Sequence, residues 1–166
     1  MAEAREQERI VLDARETVDA SATLDAALEA VASILVGRFR VSRVSVRTYD
    51  PATDDVVFDG VWSSEPTLLV AGVRMPARST TFAEVELRGS AILGHPTPKT
   101  GPLLDQVLRD EGTRSWVVAP LTRDRILVGL LSVASPDADG LTEADLPFFD
   151  ALAGGIGERV LRLASA

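Results

Sequence analysis

Two apolar runs in the C-terminal half constrain the fold of this 166-residue chain more than any other feature. Residues 115–121 and 126–134 are β-branched and apolar runs of strand length. A short polar stretch centred on Asp124 and Arg125 separates them, so they are predicted to pair as a hairpin. The second run is apolar on both faces, which indicates a strand in the middle of a sheet that is covered on both sides. Gly129 within it is typical of a point where another backbone or a large side chain approaches closely.

A helix is predicted directly after this hairpin. Thr142 is placed to cap it, and the acidic Glu143 and Asp145 lie in the first turn, where the helix dipole favours them. Apolar residues then recur at spacings of three and four, namely Leu146, Phe149, Leu152, Ile156, Val160 and Leu163. This apolar stripe is expected to pack on the sheet.

A longer pattern runs through the hairpin and this helix. It reads R-S-x-x-x-x-P-L from Arg114, then a short charged turn, then x-x-x-G-x-L-x-x-x-S-P, then T-E-x-D-L-x-x-x-x-x-L-A from Thr142. The pattern is similar to the C-terminal half of GAF domains, the small sensory modules of phosphodiesterases, phytochromes, histidine kinases and transcription regulators. Residues 44–62, VSVRTYDPATDDVVFDGVW, resemble the opening hairpin of the same family. The family usually has glycine in the second hairpin turn, where this chain has Arg125.

The resemblance implies an α+β fold of the GAF type, which is related to the PAS fold. We expect a central antiparallel sheet of five or six strands, with the first and last helices on one face and the connecting helices and loops on the other. The predicted division is an N-terminal signalling or dimerisation helix over residues 1–20 and a GAF domain over residues 21–166.

The first helix, residues 3–20, has only a thin apolar seam formed by Ile10, Ala14 and Val18. A seam this narrow is compatible with a partner helix, but also with a frayed leader or with a helix that lies on its own domain. In GAF domains the terminal helices commonly pair across a two-fold axis, so the resemblance implies a homodimer through the N- and C-terminal helices. Because acidic residues surround the seam, such a dimer is expected to tighten as salt rises.

The segment from 41 to 49 alternates apolar and polar residues, as a half-buried strand does. Because successive residues of a strand face opposite sides of the sheet, Val44, Val46 and Thr48 are predicted to face inward. The alternate residues Arg43, Ser45 and Arg47 are predicted to face outward. Residues 72–112 contain short elements with many Pro and Gly, and are expected to be the most mobile part of the domain.

Candidate ligand-binding residues follow from the resemblance, which places three aromatic residues near the family's ligand cavity. Ordinary core packing is the competing interpretation for each of these aromatics. His95, the only histidine, is interpreted as a loop residue at a pocket rim, and Glu84 could lie near Asp105. The predicted ligand-binding set is Trp62, Phe82, Glu84, His95 and Trp116.

Several chemistries are disfavoured. The chain has no cysteine, which removes disulfides, thiolate metal sites and cysteine nucleophiles. By resemblance, it also argues against a covalently attached bilin and against the cysteine-dependent free methionine sulfoxide reductase activity of some GAF folds. Asp137-x-Asp139-Gly140 resembles the start of a calcium loop, but its twelfth position holds Phe148 instead of glutamate. No catalytic residue, metal ligand or cofactor is therefore predicted.

The charge and hydropathy of the chain restrict its partners. A net charge of −8 disfavours nucleic acids and anionic membranes, which require a basic face. The longest apolar run is too short to span a bilayer and the acidic start is unlike a signal peptide, so a cytoplasmic location is expected. The predicted function is a non-catalytic sensory or regulatory module for an unidentified small molecule. The alternative is a dimerisation module with a filled core and no ligand.

Overall fold

Six antiparallel strands form the middle layer of the computed structural model, which describes residues 2–96 and 101–166. Their bounds are β1 (Arg43–Asp50), β2 (Asp55–Ser63), β3 (Arg74–Pro76), β4 (Ile92–Gly94), β5 (Ser115–Arg123) and β6 (Ile126–Ser135). The order across the sheet is β3-β2-β1-β6-β5-β4, so β1 and β6 occupy its centre. The predicted antiparallel sheet and the central position of the doubly apolar strand β6 are both confirmed.

Helices cover both faces of the sheet. Their bounds are α1 (Ala2–Asp19), α2 (Leu24–Leu35), α3 (Phe82–Arg88), α4 (Leu103–Asp110) and α5 (Leu146–Ser165). One apolar cluster joins the sheet to α1, α2 and α5, and a second joins its other face to α3 and α4. The predicted placement of the first and last helices on one face is therefore confirmed. Among the described residues, no helix has the length and hydropathy that crossing a membrane would require.

The predicted helix start at Thr142 and the predicted hairpin are present, and α2 has a similar cap at Thr23. The Thr23 hydroxyl accepts a hydrogen bond from the Ala26 amide at 3.1 Å before α2, and the Thr142 amide donates to the Asp145 carboxylate at 2.8 Å before α5. The turn between β5 and β6 has two residues, Asp124 and Arg125, with φ of 52° and 67°. Both therefore adopt the left-handed conformation that such a turn requires.

Gly129 lies where β6 crosses the centre of the sheet beside β1. A Cβ atom at this position would lie 2.7 Å from the backbone oxygen of Arg47. Since real side chains do not approach a backbone oxygen this closely, only glycine fits without a shift of the strand. The close approach predicted for Gly129 is confirmed.

The expected apolar seam of α1 lies inside the domain instead of at its surface. Ala14 and Val18 are buried, and Ile10 packs against the same cluster. Ala14 and Val18 are not available to a partner helix, because α1 lies along α5 and α2. Of the alternatives, a helix on its own domain is the one observed. Leu12 is the apolar side chain that α1 exposes, at 57% of its surface.

The polar row of β1 is also placed differently from the prediction. Arg43, Ser45 and Arg47 were expected to face outward, but all three are buried. The reason is that the chain returns over this face of the sheet, where Leu69 and the helix α4 cover the row. The region predicted to be most mobile includes residues 97–100, which lie outside the described residues.

Candidate functional site

A small cavity lies between the polar row of β1 and α4. Its volume is about 10 Å³, which is about the room that one water molecule needs. Strands β1, β2, β5 and β6 form its floor, and α4 together with Leu69 and Thr81 forms the opposite wall. The lining residues are Arg43, Ser45, Arg47, Phe58, Leu69, Thr81, Leu104, Asp105, Leu108, Trp116, Val118 and Ser132. We refer to this space as the α4 cavity.

The polar side of the α4 cavity comes from the alternation of the two central strands. Residues two apart on a strand point to the same face, so Arg43, Ser45 and Arg47 all reach the cavity. Ser45 is paired with Ser132 on β6, which extends the polar patch across the strand boundary. The remaining floor is apolar and includes Trp116 on β5.

Arg43 is held by a cluster that joins β1 to the end of α4. Its Nη2 donates to the Glu111 carboxylate and to the Thr67 hydroxyl, both at 2.5 Å. Glu111 also accepts hydrogen bonds from the Thr67 hydroxyl at 2.7 Å and from the Leu68 amide at 2.9 Å. Burial raises the pKa of Glu111, but these hydrogen bonds and the charge of Arg43 outweigh it, so the pKa lies below its ordinary value. The cluster fixes the loop after β2 against α4.

Arg47 is a buried cation with few partners. Its side chain lies beside Phe58, with Cζ 5.5 Å from the ring centroid, and the residue is only 2% exposed. The Nε and Nη1 atoms have no hydrogen-bond partner among the described residues. Burial lowers the pKa of Arg47 to about 10, a shift that the charge of Asp105 opposes and that of Arg43 reinforces. The guanidinium remains charged at neutral pH, so the fold keeps a cation inside the α4 cavity.

Asp105 supplies a carboxylate from the opposite wall. It lies in the first turn of α4 and is 6% exposed. Burial raises its pKa to about 6; the charge of Arg47 opposes this shift and the charge of Glu84 adds to it. In the part of the chain that the structure describes, Asp105 and Arg47 do not form a direct ion pair. The carboxylate therefore affects Arg47 through its charge, and it titrates near neutral pH.

The structure brings one of the five predicted ligand-binding residues to the cavity. Trp116 lines it, and Phe82 belongs to the same apolar cluster but stacks on Tyr49, with ring centroids 4.4 Å apart. Trp62 packs against the helices on the opposite face of the sheet and does not line this cavity. Glu84 and His95 are exposed and do not line the cavity.

The sequence analysis did not predict the charged residues of the cavity lining, although the apolar character of β6 on both faces indicates them. A central strand that is apolar on both faces implies that both faces of the sheet are covered. The polar row of the neighbouring strand must then be covered as well, which applies to Arg43 and Arg47. A buried row with two arginines is unusual, because buried charges require partners.

Comparison with known proteins assigns the family. A family model described as GAF domain matches residues 17–160. The chain belongs to the GAF domain family. Among curated proteins, none matches the sequence at a significant level.

Solved GAF structures share the fold at low sequence identity. The chain is similar to the GAF domain of a phosphoenolpyruvate-protein phosphotransferase from Coxiella burnetii, with 18% identity, a TM-score of 0.72 and coverage of 98% of this chain and 96% of that one. It is also similar to free methionine-R-sulfoxide reductase from Neisseria meningitidis in complex with its substrate, with 20% identity, a TM-score of 0.72 and coverage of 98% and 93%. A third similar structure is a phycocyanobilin-bound GAF domain from a cyanobacterial phytochrome, with 15% identity, a TM-score of 0.68 and coverage of 95% and 94%.

Proposed function

We propose that this GAF domain is a non-catalytic sensory or regulatory module that binds a small molecule in the α4 cavity. The observation that supports it most is the lining of that cavity, where Arg43, Arg47 and Asp105 are buried in a layer of the core. Burying charged groups costs free energy, and an apolar layer of the same volume would pack at least as well. Recognition of a polar or charged ligand would account for these buried charges.

A dimerisation module with a filled core is the second candidate. The small volume of the α4 cavity, about 10 Å³, favours it, because no organic molecule fits in that space without a movement of the wall. The two candidates differ in one respect that can be measured. A sensor must open on the α4 side to admit its ligand, whereas a filled core has no reason to open.

The absence of catalysis is part of the proposal. The chain has no cysteine, and the resemblance to GAF-fold methionine sulfoxide reductases implies a cysteine-based reaction. Asp105 is a carboxyl group with a raised pKa, but no nucleophile lines the cavity in a hydrogen bond with it among the described residues. We further propose a cytoplasmic location without nucleic-acid or membrane binding, which the net charge of −8 supports.

We propose that the chain forms a homodimer through its terminal helices. Because the seam of α1 is buried, the proposed contact surface is the exposed side of α1 and the start of α5. The exposed side of α1 and the start of α5 form a shallow groove of about 470 Å³. Val11 and Leu12 contribute from α1, and Phe148 and Ala151 contribute from α5. The exposed side chain of Leu12 in this groove supports a contact between two copies of the chain. In this proposal α1, within residues 1–20, is the signalling helix, and residues 21–166 are the GAF domain.

Native mass spectrometry tests ligand binding. The protein is purified under non-denaturing conditions, and its mass in the folded state is compared with its mass after denaturation. We expect a stoichiometric small molecule that is released on denaturation. The filled-core alternative is favoured if none is present and if no metabolite in a thermal-shift screen raises the melting temperature.

Sedimentation tests the assembly. Leu12→Asp places a charge in the groove, and Leu87→Asp is a matched control at a leucine of α3 that is 91% exposed. We expect a dimer for the wild type and for Leu87→Asp, and a monomer for Leu12→Asp. Because acidic residues such as Glu8 flank the groove, the dimer should tighten as salt rises. A monomer under all conditions, or a dimer indifferent to Leu12→Asp, would rule out this interface.

A further inference from the structure

We propose that the α4 cavity recognises a small organic anion, whose carboxylate or phosphate group binds between Arg47 and Arg43. This inference rests on the proposed function and deepens it, since it names the chemical class of the ligand for the same cavity.

The two arginines of the cavity differ in their ion pairing. Arg43 has a direct partner, because its guanidinium donates to the Glu111 carboxylate. Arg47 has none among the described residues, and the opposing charge that acts on it is the Asp105 carboxylate, without direct contact. A buried cation without a contact partner is costly, and a second anion beside it would recover much of that cost. The cavity is therefore electrostatically suited to an anion and not to a cation.

The hydrogen-bond donors without a partner also favour an anionic ligand. The atoms without a partner are Nη1 of Arg43 and both Nε and Nη1 of Arg47. Arginine nitrogens only donate, so these atoms match the oxygens of a carboxylate or a phosphate. The two arginines are four residues apart on β1, with Ser45 between them, so their Cα atoms lie about 13 Å apart on one face. Both side chains are long and line the same cavity, so they can approach one anionic group from its two sides.

The rest of the lining favours an organic ligand over a bare inorganic ion. Phe58, Leu69, Leu104, Leu108 and Trp116 form an apolar wall next to the arginines. Such a wall gains from contact with carbon atoms, whereas a free inorganic ion would leave it in contact with water.

The small volume of the cavity indicates how binding would act on the fold. A space of about 10 Å³ is too small for an organic acid, so binding must displace the wall. That wall is α4, which carries Asp105 in its first turn. An anion on Arg47 would repel the Asp105 carboxylate and move α4 outward. Ligand charge is thereby coupled to the position of a helix.

Trp116 provides a direct readout of binding. The chain has two tryptophans, so Trp62→Phe leaves Trp116 as the sole tryptophan, whose emission is excited selectively. In this background the protein is titrated with butyrate, with butyl phosphate and with the neutral isostere butyramide, at constant ionic strength. We expect a saturable change in emission for at least one of the two anions and none for butyramide. The stronger of the two anions distinguishes a carboxylate ligand from a phosphate ligand.

Two arginine variants test the residues. Arg47→Met should weaken anion binding by a factor of roughly 10 to 100, the range for a lost hydrogen bond to a charged group. Arg38→Met is a matched control, because Arg38 also lies over a phenylalanine ring and has an unpartnered Nε, but is outside the cavity. It should bind as the wild type does. If Arg47→Met does not fold, Arg47→Lys, which keeps the charge and loses the fork of donors, should bind several-fold more weakly.

The outcomes separate this inference from the proposed function. Three results would overturn the anion assignment and leave the sensor role intact. They are butyramide binding as tightly as the anions, Arg47→Met binding the anion as tightly as the wild type does, and release of a neutral molecule in native mass spectrometry. An anionic molecule released in that experiment supports the assignment. No response of Trp116 to any probe, together with no released molecule, overturns both and leaves Arg47 a structural residue held by Phe58.

Discussion

Asp105→Asn should stabilise the protein at neutral pH and have no effect in acid. Burial raises the pKa of Asp105 from 3.8 to about 6, so the folded state favours the protonated carboxyl. Stability from this group is fully present below the unfolded-state pKa and is lost as the pH rises through about 6. Two pKa units correspond to about 3 kcal/mol at 1.36 kcal/mol per unit. Asparagine resembles the protonated form at every pH, so the variant avoids this loss.

Denaturant unfolding from about pH 4 to pH 8 measures the effect. The free energy of unfolding of Asp105→Asn minus that of the wild type should be near zero at the acid end, rise between about pH 4 and pH 6, and level off at about 3 kcal/mol. Asp110→Asn, at an exposed carboxylate of the same helix, is the control and should stay within about 0.5 kcal/mol throughout. A difference that does not change with pH, or a variant that is less stable at pH 7, would refute the electrostatic account of the cavity.

Two further predictions concern single contacts, each measured by denaturant unfolding. Arg125→Gly should stabilise the protein by about 1 kcal/mol, because Arg125 has a φ of 67° that costs a non-glycine residue about this much; an unchanged or lower stability would contradict the turn geometry. Glu111→Gln should destabilise by about 2–3 kcal/mol, because it leaves Arg43 buried without its counter-charge. A loss of less than about 0.5 kcal/mol would show that the Arg43–Glu111 contact does not fix the loop after β2.

The parts of the fold that the sequence predicts are those with a local cause. The apolar character of β6 on both faces follows from its own residues, and so does its central position. The cap at Thr142 is likewise local, because its partner Asp145 lies within the same turn. The hairpin turn was expected from the polar stretch around Asp124, and the structure adds its length of two residues.

The candidate site depends on packing between distant segments, which local patterns do not report. Arg47 alternates with valines as a surface residue would, and only the return of the chain at Leu69 and α4 buries it. The local pattern of α1 left three alternatives open for the same reason. A narrow stripe is sufficient when the neighbouring helix allows close approach, as at Gly155, where a Cβ would lie 3.0 Å from Val11. In both cases the decisive contact is remote in sequence.

Nitrogen-15 NMR of the arginine side chains tests the central claim most directly, since it reports on Arg47 itself. The Nε–Hε resonance of Arg47 is assigned by its loss in Arg47→Lys, and the resonance of Arg38 serves as an internal control. Addition of the tighter-binding anion should shift the Arg47 resonance in a saturable way, leave Arg38 unchanged, and have no counterpart with butyramide. An Arg47 resonance that does not move at anion concentrations that saturate the Trp116 emission would contradict the claim that the α4 cavity binds an anion on this arginine.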